Sequence, residues 1–335
     1  MTSYCRDGFT FVPIINAELI TTDLHKAAEA LKQNNIIALP TETVYGLAGN
    51  AFEPEAIEKI FSLKKRPFYN PLIVHIKSAE YMTHIAKDIP EIAFRVAMEF
   101  WPGPLTLVLN KKSIVPDIIT AGKDTVAVRM PNHPVTLELL NSLDFPLAAP
   151  SANPFGSISP TTAAHVARYF GEDLEVILDG GECLKGIEST IIGFEGEQAV
   201  LYRLGSISAE DLEHVVGKLK HHTSDDSAPA APGMLSRHYA PSTETFLTQD
   251  VNEMVLSHPD KKIGLLLFQE NSISQNVAHT EVLSKEGDLN EAARNLYAAM
   301  HRLDHLNLDI IIAEKLPEEE LGKSINDRLK RAVKK

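Results

Sequence analysis

The chain has 335 residues, more than one hydrophobic core usually organises, so two domains are expected. Its composition, 44% hydrophobic and 23% charged, is that of an ordinary globular protein, and no apolar run reaches the roughly 18 residues that a membrane span needs. A formal charge of −13 argues against an extended nucleic-acid surface, which requires clustered Lys and Arg, but leaves room for one local anion pocket. The opening "MTSYCRDGFTFVPIINAELI" lacks the pattern of a signal peptide. The two cysteines, Cys5 and Cys183, are too few for a disulfide framework or a thiolate metal site, so the expected compartment is the reducing cytoplasm.

In chain order, "TTDLHKAAEALKQN" reads as a helix capped by Thr22 or Asp23, with Leu24, Ala27, Ala28 and Leu31 on one face. "NIIALP" follows as a short buried strand. "EPEAIEKIFSLKK" begins with Pro54 at a favoured first-turn position and puts Ile57, Ile60 and Phe61 on one side. "IPEIAFRVAMEF" repeats the design until "WPGP" stops it. The strands "LTLVL", "TVAVRM", "PLAAP", "EVILDG", "STIIGF" and "AVLYRL" then alternate with Gly and Pro breaks, and the helix "SAEDLEHVVGKLK" follows. Strands with interspersed helices indicate an α/β domain of about 200 residues. "HHTSDDSAPAAPGMLSRHYAPST" has linker composition. Beyond it, strand "KIGLLLF", helix "DLNEAARNLYAAMHRLDHL", strand "DIIIAEKL" and helix "EELGKSINDRLKRAVKK" imply a small parallel α/β domain.

Five segments of the first domain carry polar chemistry. "KKRPFYNPL" places Lys64, Lys65 and Arg66 at a helix end, where cations also complement the helix dipole, but Pro67 and Pro71 hold the cluster in place and Asn70 adds an amide. Fixed cations beside an amide suit a polyphosphate. "LPTETVYGLAGNA" brings Thr41, Glu42 and Thr43 out of a strand end, the usual ligand position in an open α/β sheet. "TVAVRM" sets Arg129 among apolar neighbours, where its guanidinium needs an anion: an internal Asp or Glu, or a substrate carboxylate. "PLAAPSANPFGSISPTTAAHV" is dense in hydroxyls, with Ser159 or Thr161 available as a helix cap and the remainder available to phosphate. "GGECLKGIESTII" and "VLYRLG" add Ser189, Thr190 and Arg203. Elsewhere, "GKS" at 322–324 lacks the earlier glycine of a phosphate loop, His301 and His305 lack a third metal ligand, and His221 with His222 reads as solvated linker. No metal site is expected.

Together "PTETVYGL", "KKRPFYNPL", "WPGPLTLVL", "VAVRMP", "APSANPFGSISPT" and "IESTII" resemble, in order and over residues 15–217, the YrdC-like family of threonylcarbamoyl-AMP synthases. "PGMLSRHYAP" and "ELGKSINDRLKRA" resemble the long two-domain form. The resemblance implies a YrdC-like twisted mixed-sheet catalytic domain with a ligand crevice over residues 1–220, a linker or lid over 221–242, and a small Rossmann-like α/β domain over 243–335. It implies a nucleotidyltransferase that condenses L-threonine, bicarbonate and ATP, carried with Mg²⁺, into threonylcarbamoyl-AMP and pyrophosphate. The product would pass to a separate transferase acting on a tRNA adenosine beside the anticodon, with little direct tRNA binding by this chain and no membrane association.

By the same resemblance Thr43, His75, Arg129, Ala149 and Ser189 match positions that hold threonine. Arg66, Asn70, Thr125, Ser151, Ser159 and Arg203 match positions that hold ATP, with Arg237, His238 and Tyr239 reaching it from the linker, and Lys64 and Arg66 would stabilise the transferring phosphoryl group. Leu235 and Ser236 depart from the Lys and aromatic more usual in the family at those linker positions. Two other readings share the fold: a non-catalytic RNA-binding module, disfavoured by the net charge, and a carbamoyl-adenylate enzyme of hydrogenase maturation, which would need cysteine-rich zinc segments.

Overall fold

A computed structural model describes residues 19–222, 231–234, 238–271 and 277–333. Asp23 opens the first helix, Leu24–Lys32, by accepting from the amides of His25 and Lys26. The helix Pro54–Lys64 buries Ala56, Ile57, Ile60 and Phe61 and ends at Lys65, whose left-handed backbone (φ 53°) turns the chain so that Lys64 and Arg66 both point inward. Helices Glu91–Phe100 and Ala209–Val216 end where "WPGP" and Gly217 interrupt them.

The strands of the first two-thirds join one mixed sheet. Its order is Ile20–Thr21, Ile177–Leu178, Ile37–Leu39, Gly46–Asn50, Leu147–Ala148, Ile73–His75, Thr125–Arg129, Leu105–Asn110, Thr190–Glu195, Gln198–Arg203 and Lys220–His221. Strand Ile73–His75 runs parallel to Thr125–Arg129 in a register that sets His75 beside Arg129. Strand Leu105–Asn110 runs parallel to Thr190–Glu195, which brings Thr106 within 2.8 Å of the Ser189 hydroxyl. Four parallel strands, Glu244–Thr248, Ile310–Glu314, Ile263–Leu267 and His279–Val282 in that spatial order, form the second sheet. Glu244–Thr248 was not foreseen because its alternate residues are only half-buried and its segment reads as polar.

The two units share a core. Val44, Ile158, Ile187 and Tyr239 pack into one apolar cluster with Leu296, Tyr297, Met300, Leu303, Ile325 and Leu329 from helices Leu289–Asp304 and Glu320–Ala332. Gly186 makes the approach possible: its φ is +72°, and a Cβ there would stand 2.4 Å from the Arg294 Cα. "GKS" lies inside the last helix, so it forms no phosphate loop. Among the described residues no helix is long and apolar enough to cross a membrane.

Candidate active site

A cavity of about 50 Å³ opens at the strand ends, where Thr43, Arg66, His75, Arg129, Ala149, Ser151, Ser189, Arg203 and Tyr239 meet in its wall. Nine residues singled out from the sequence are thus brought together from eight segments of chain. Thr41, Glu188, Pro232, Gly233 and His238 complete much of the remaining lining.

Three cations dominate the electrostatics. Lys64, Arg66 and Arg203 are all buried, and among the described residues none makes an ion pair with a carboxylate. Their donors fall on backbone carbonyls instead. Lys64 reaches Ser151 O and Asn153 O, Arg66 reaches Asn70 O and Pro71 O, and Arg203 reaches Ser189 O (2.7 Å) and Pro232 O (3.2 Å). Burial, and then the charge of Arg66, pulls the Lys64 ammonium well below its ordinary value. Burial likewise lowers Arg66, to about 9, with Arg203 adding to the shift. Cations gathered out of water with no carboxylate bonded to them, and only Glu188 nearby among the described residues, are costly until an anion arrives. Asn70, beneath Arg66, is also fully buried, and neither its Nδ2 nor its Oδ1 has a partner among the described residues.

The other pole of the cavity is compact and lined by polar groups. Arg129 pairs with Glu42 (2.7 Å) and donates from Nε to Gly103 O (3.3 Å). Of the two partners open to it on sequence grounds, the internal carboxylate is therefore present, while the guanidinium still lines the cavity. Glu42 is itself tied to the amide of Asn132. Burial first, and Arg129's charge second, bring His75 down to about 3, so its imidazole is neutral near pH 7. The hydroxyls of Thr41 and Thr43 bond each other (2.8 Å), and Ser189 sits between Thr106 and Arg203.

Some expected site residues lie outside the wall. Lys64 clamps the 151–153 loop from behind. Thr125 is on the same strand face as Arg129 but four residues away, about 13 Å. Between them Ala127 packs with Ile73, Val108, Ile191, Ala231 and Met234, so linker residues cover the sheet face that joins the two. Ser159 does not cap the following helix. Thr162 does, accepting from His165, while the Ser159 hydroxyl donates to Glu188 (2.7 Å). Arg237 lies outside the described residues.

Glu188 is the functional candidate that the sequence reading passed over. It is buried in the wall and accepts from Ser159, Tyr297 and Arg328. Burial alone would raise its carboxyl, but Arg328, Arg203 and Ser159 outweigh that and hold it below the ordinary carboxylate value. Its signal was an acid inside the apolar and hydroxyl run "GIESTII", quoted above only for its hydroxyls. Among the described residues, no group of three or more His, Cys, Asp or Glu side chains is arranged to hold a metal ion.

A family model described as telomere recombination (Sua5_yciO_yrdC) matches residues 29–205. A second, described as threonylcarbamoyl-AMP synthase, C-terminal domain, matches residues 207–333. The chain is 42% identical over 315 residues to the threonylcarbamoyl-AMP synthase of Pyrococcus abyssi, spanning 91% of this chain and 92% of that one. It is 36% identical over 331 residues to the Bacillus subtilis threonylcarbamoyl-AMP synthase, spanning 95% and 96%. The crystal structure of P. abyssi Sua5 complexed with L-threonine superposes with a TM-score of 0.86 at 40% identity, over 94% of this chain and 96% of that one.

Proposed function

The chain belongs to the threonylcarbamoyl-AMP synthase family in its two-domain form, and from that premise we propose that it condenses L-threonine, bicarbonate and ATP into threonylcarbamoyl-AMP with release of pyrophosphate. The observation that carries the reading is the meeting, in one cavity, of Arg66 and Arg203, buried with no carboxylate ion pair among the described residues and backed by Lys64 behind the wall, with a compact pole built from Arg129, neutral His75 and the hydroxyls of Thr43 and Ser189. A triphosphate supplies the counter-charge that the cations lack. An amino acid carboxylate suits the Arg129 fork, and a threonine hydroxyl suits the polar walls.

In this reading Arg129 orients the carboxylate and leaves the neutral amine free to add to the bicarbonate carbon, a C–O bond breaking with loss of water to leave a carbamate. The carbamate oxygen attacks the α-phosphorus of ATP in line, and pyrophosphate leaves. Negative charge spreads over the phosphoryl oxygens, and Arg66 and Arg203 from the wall stabilise it. Lys64 has a different part: bonded to the carbonyls of Ser151 and Asn153, it holds the loop that carries Ser151 into the wall and adds its charge from behind. Asn70, with both amide atoms unpaired, takes up a nucleotide contact as Arg66 turns toward phosphate. With Glu188 the only carboxylate lining the cavity among the described residues, Mg²⁺ would arrive on the triphosphate and supply further neutralisation of its charge, rather than sit in a protein cage.

A 50 Å³ cavity is far below the roughly 300–1,000 Å³ of small-molecule sites, so ATP needs residues 231–234 to leave the sheet face. Once they do, the strip from Arg129 past Ala127 to Thr125 opens for the nucleoside. Ser159, held by Glu188, reaches the nucleotide only with that motion. The linker, including His238 and Tyr239 with Arg237, then serves as a lid that keeps water from a labile carbamate. The product would pass to a separate enzyme that modifies tRNA, a role consistent with the cytoplasmic location expected from the sequence.

The test is incubation with ATP, bicarbonate and each amino acid in turn while pyrophosphate is followed. Release is expected only with threonine and bicarbonate together, serine being a poor substitute. Equal release with every small amino acid overturns the reading.

A further inference from the structure

We propose that Arg328, on the last helix of the second unit, is a positioning residue for nucleotide use in the first. The inference rests on the function proposed above and gives the second unit a role in it.

Arg328 has no exposed side-chain surface. Its Nε donates to Glu188 Oε2 (3.0 Å), its Nη2 to Leu204 O (2.7 Å) and its Nη1 to Asp327 (2.9 Å). Its guanidinium carbon stands 5.3 Å from the centre of the Tyr239 ring. Glu188 and Tyr239 are both in the cavity wall, and Arg328 is not. Apart from Asp327, each contact therefore lands in the cavity wall or one residue from it. Glu188 precedes Ser189, Leu204 follows Arg203, and the Tyr239 ring is the linker's own contribution. Ser189 and Arg203 are bonded to each other through the Ser189 carbonyl (2.7 Å) and hydroxyl (3.1 Å). Tyr297, also from the second unit, gives Glu188 another donor at 2.9 Å.

A role as domain glue does not account for this arrangement. The units already share an apolar cluster, and a buried ion pair is a weak source of stability compared with the hydrophobic packing around it. What the guanidinium supplies that packing cannot is a fixed separation. One planar group holds the Ser189–Arg203 wall on one side and the Tyr239 wall on the other. Glu188, fixed by Arg328, Tyr297 and Ser159, is also, among the described residues, the one acid lining the cavity beside Arg66 and Arg203, so its position sets how strongly Arg203 is available to phosphate. Arg129, by contrast, is fixed by Glu42 and Gly103, which Arg328 does not touch.

The test is steady-state pyrophosphate release by the full chain carrying Arg328→Lys, and separately Tyr297→Phe, with the melting temperature of each. For Arg328→Lys the KM for ATP should rise about tenfold and kcat should fall, as the loss of one charge-assisted bond implies, while threonine affinity measured without ATP, which meets this wall only at Ser189 and keeps its Arg129 anchor, should fall by no more than about threefold. Tyr297→Phe, which keeps packing and charge, should raise the KM for ATP about threefold with little change in melting. A lower melting temperature with unchanged kinetic constants makes Arg328 glue only and overturns the inference. Should Arg328→Lys fail to fold, Tyr297→Phe decides: unaltered kinetics there overturn it. If wild type releases no pyrophosphate with threonine, bicarbonate and ATP, the parent reading fails first and this inference falls with it.

Discussion

Arg129, in the cavity wall, meets Glu42 with Nη2 2.7 Å from Oε1, and each side chain is only 5% exposed. The pair means that an incoming carboxylate finds a guanidinium already oriented, with Glu42 held in turn by the Asn132 amide. Arg129→Ala should therefore weaken threonine binding by roughly 2–4 kcal/mol, partly through the loss of a charge-assisted contact and partly because Glu42 is left buried and alone. Arg129→Lys should rescue little, since an ammonium cannot serve Glu42 and a substrate carboxylate in one plane. Calorimetry without ATP checks this. Unchanged threonine affinity would assign Arg129 to its internal pair alone.

Polyphosphate should stabilise the protein by itself. Lys64, Arg66 and Arg203 are buried without carboxylate partners among the described residues, so a bound polyanion relieves both their desolvation and their mutual repulsion. Tripolyphosphate at about 100 times its Kd should add about 2.7 kcal/mol to unfolding. Differential scanning fluorimetry should show the shift in wild type and its loss in Arg66→Ala/Arg203→Ala. Equal shifts in both proteins would place the anion elsewhere.

Stability should fall on mild acidification, and the domain junction should contribute. The ring of His165, on Ala163–Phe170, stacks at 4.0 Å on that of His301, on Leu289–Asp304, with Arg168, Arg302, Asp304 and His305 nearby. Burial, more than any neighbouring charge, brings His301 down to about 4 and His165 to about 3. A histidine whose folded pKa lies below its unfolded value binds its proton preferentially when unfolded. Its contribution is thus complete above about pH 6.5 and is lost as pH falls from there toward 4 and 3. Each such group changes stability by at most about 1.4 kcal/mol per pH unit in that window. His301→Gln, which retains a donor for Ser159 O, should melt less steeply lower at pH 5 than at pH 7 compared with wild type. The same slope in both proteins would sink the idea.

Much of the first domain was legible in the sequence because its helices and strands obey local rules. The Asp23 cap, the Pro54 start and the apolar faces are written within a turn or two of chain. The basic cluster and the hydroxyl-rich loops were legible as chemistry too. Their final partners were not. Ser159 and Thr161 are the caps the sequence suggests, but Thr162 is the cap, and the Ser159 hydroxyl goes instead to Glu188, 29 residues on. Glu188 in turn meets Arg328 across 140 residues, and nothing in the periodicity of either segment says which buried acid a buried base will find. Linker composition marks 221–242 as a connection or lid but not what it packs on: Ala231 and Met234 are buried on the first unit's sheet, and Tyr239 is buried in the core that the two units share. Small and aromatic residues without a period can still fill a crevice that the rest of the fold has shaped.

The final prediction concerns Met234. It packs with Ala231 on a patch made by Ile73, Val108, Ala127 and Ile191, between the strand position of Thr125 and that of Arg129. Beside it the Pro232 carbonyl accepts from Arg203, and Gly233 adopts φ +73° with Arg203 Nη1 2.5 Å from where a Cβ would stand. The segment therefore occupies both the apolar strip and one of the unpaired cations, and ATP must compete with it for each. A competitor that is weakened should let the nucleotide bind better. Met234→Ala removes a buried side chain and should cost the closed arrangement roughly 2–4 kcal/mol, which lowers the melting temperature of the free protein and tightens the apparent Kd for ATP several-fold, until the open arrangement dominates. Turnover should not rise in step, because the same segment must close again to shield the carbamate. Gly233→Ala should act in the same direction on ATP affinity, through strain at a backbone angle that side chains avoid. Isothermal titration of each variant with ATP, set against its melting temperature, decides the matter. If the free protein is destabilised while ATP affinity is unchanged or weaker, residues 231–234 do not compete with the nucleotide, and the linker is a fixed wall of the site.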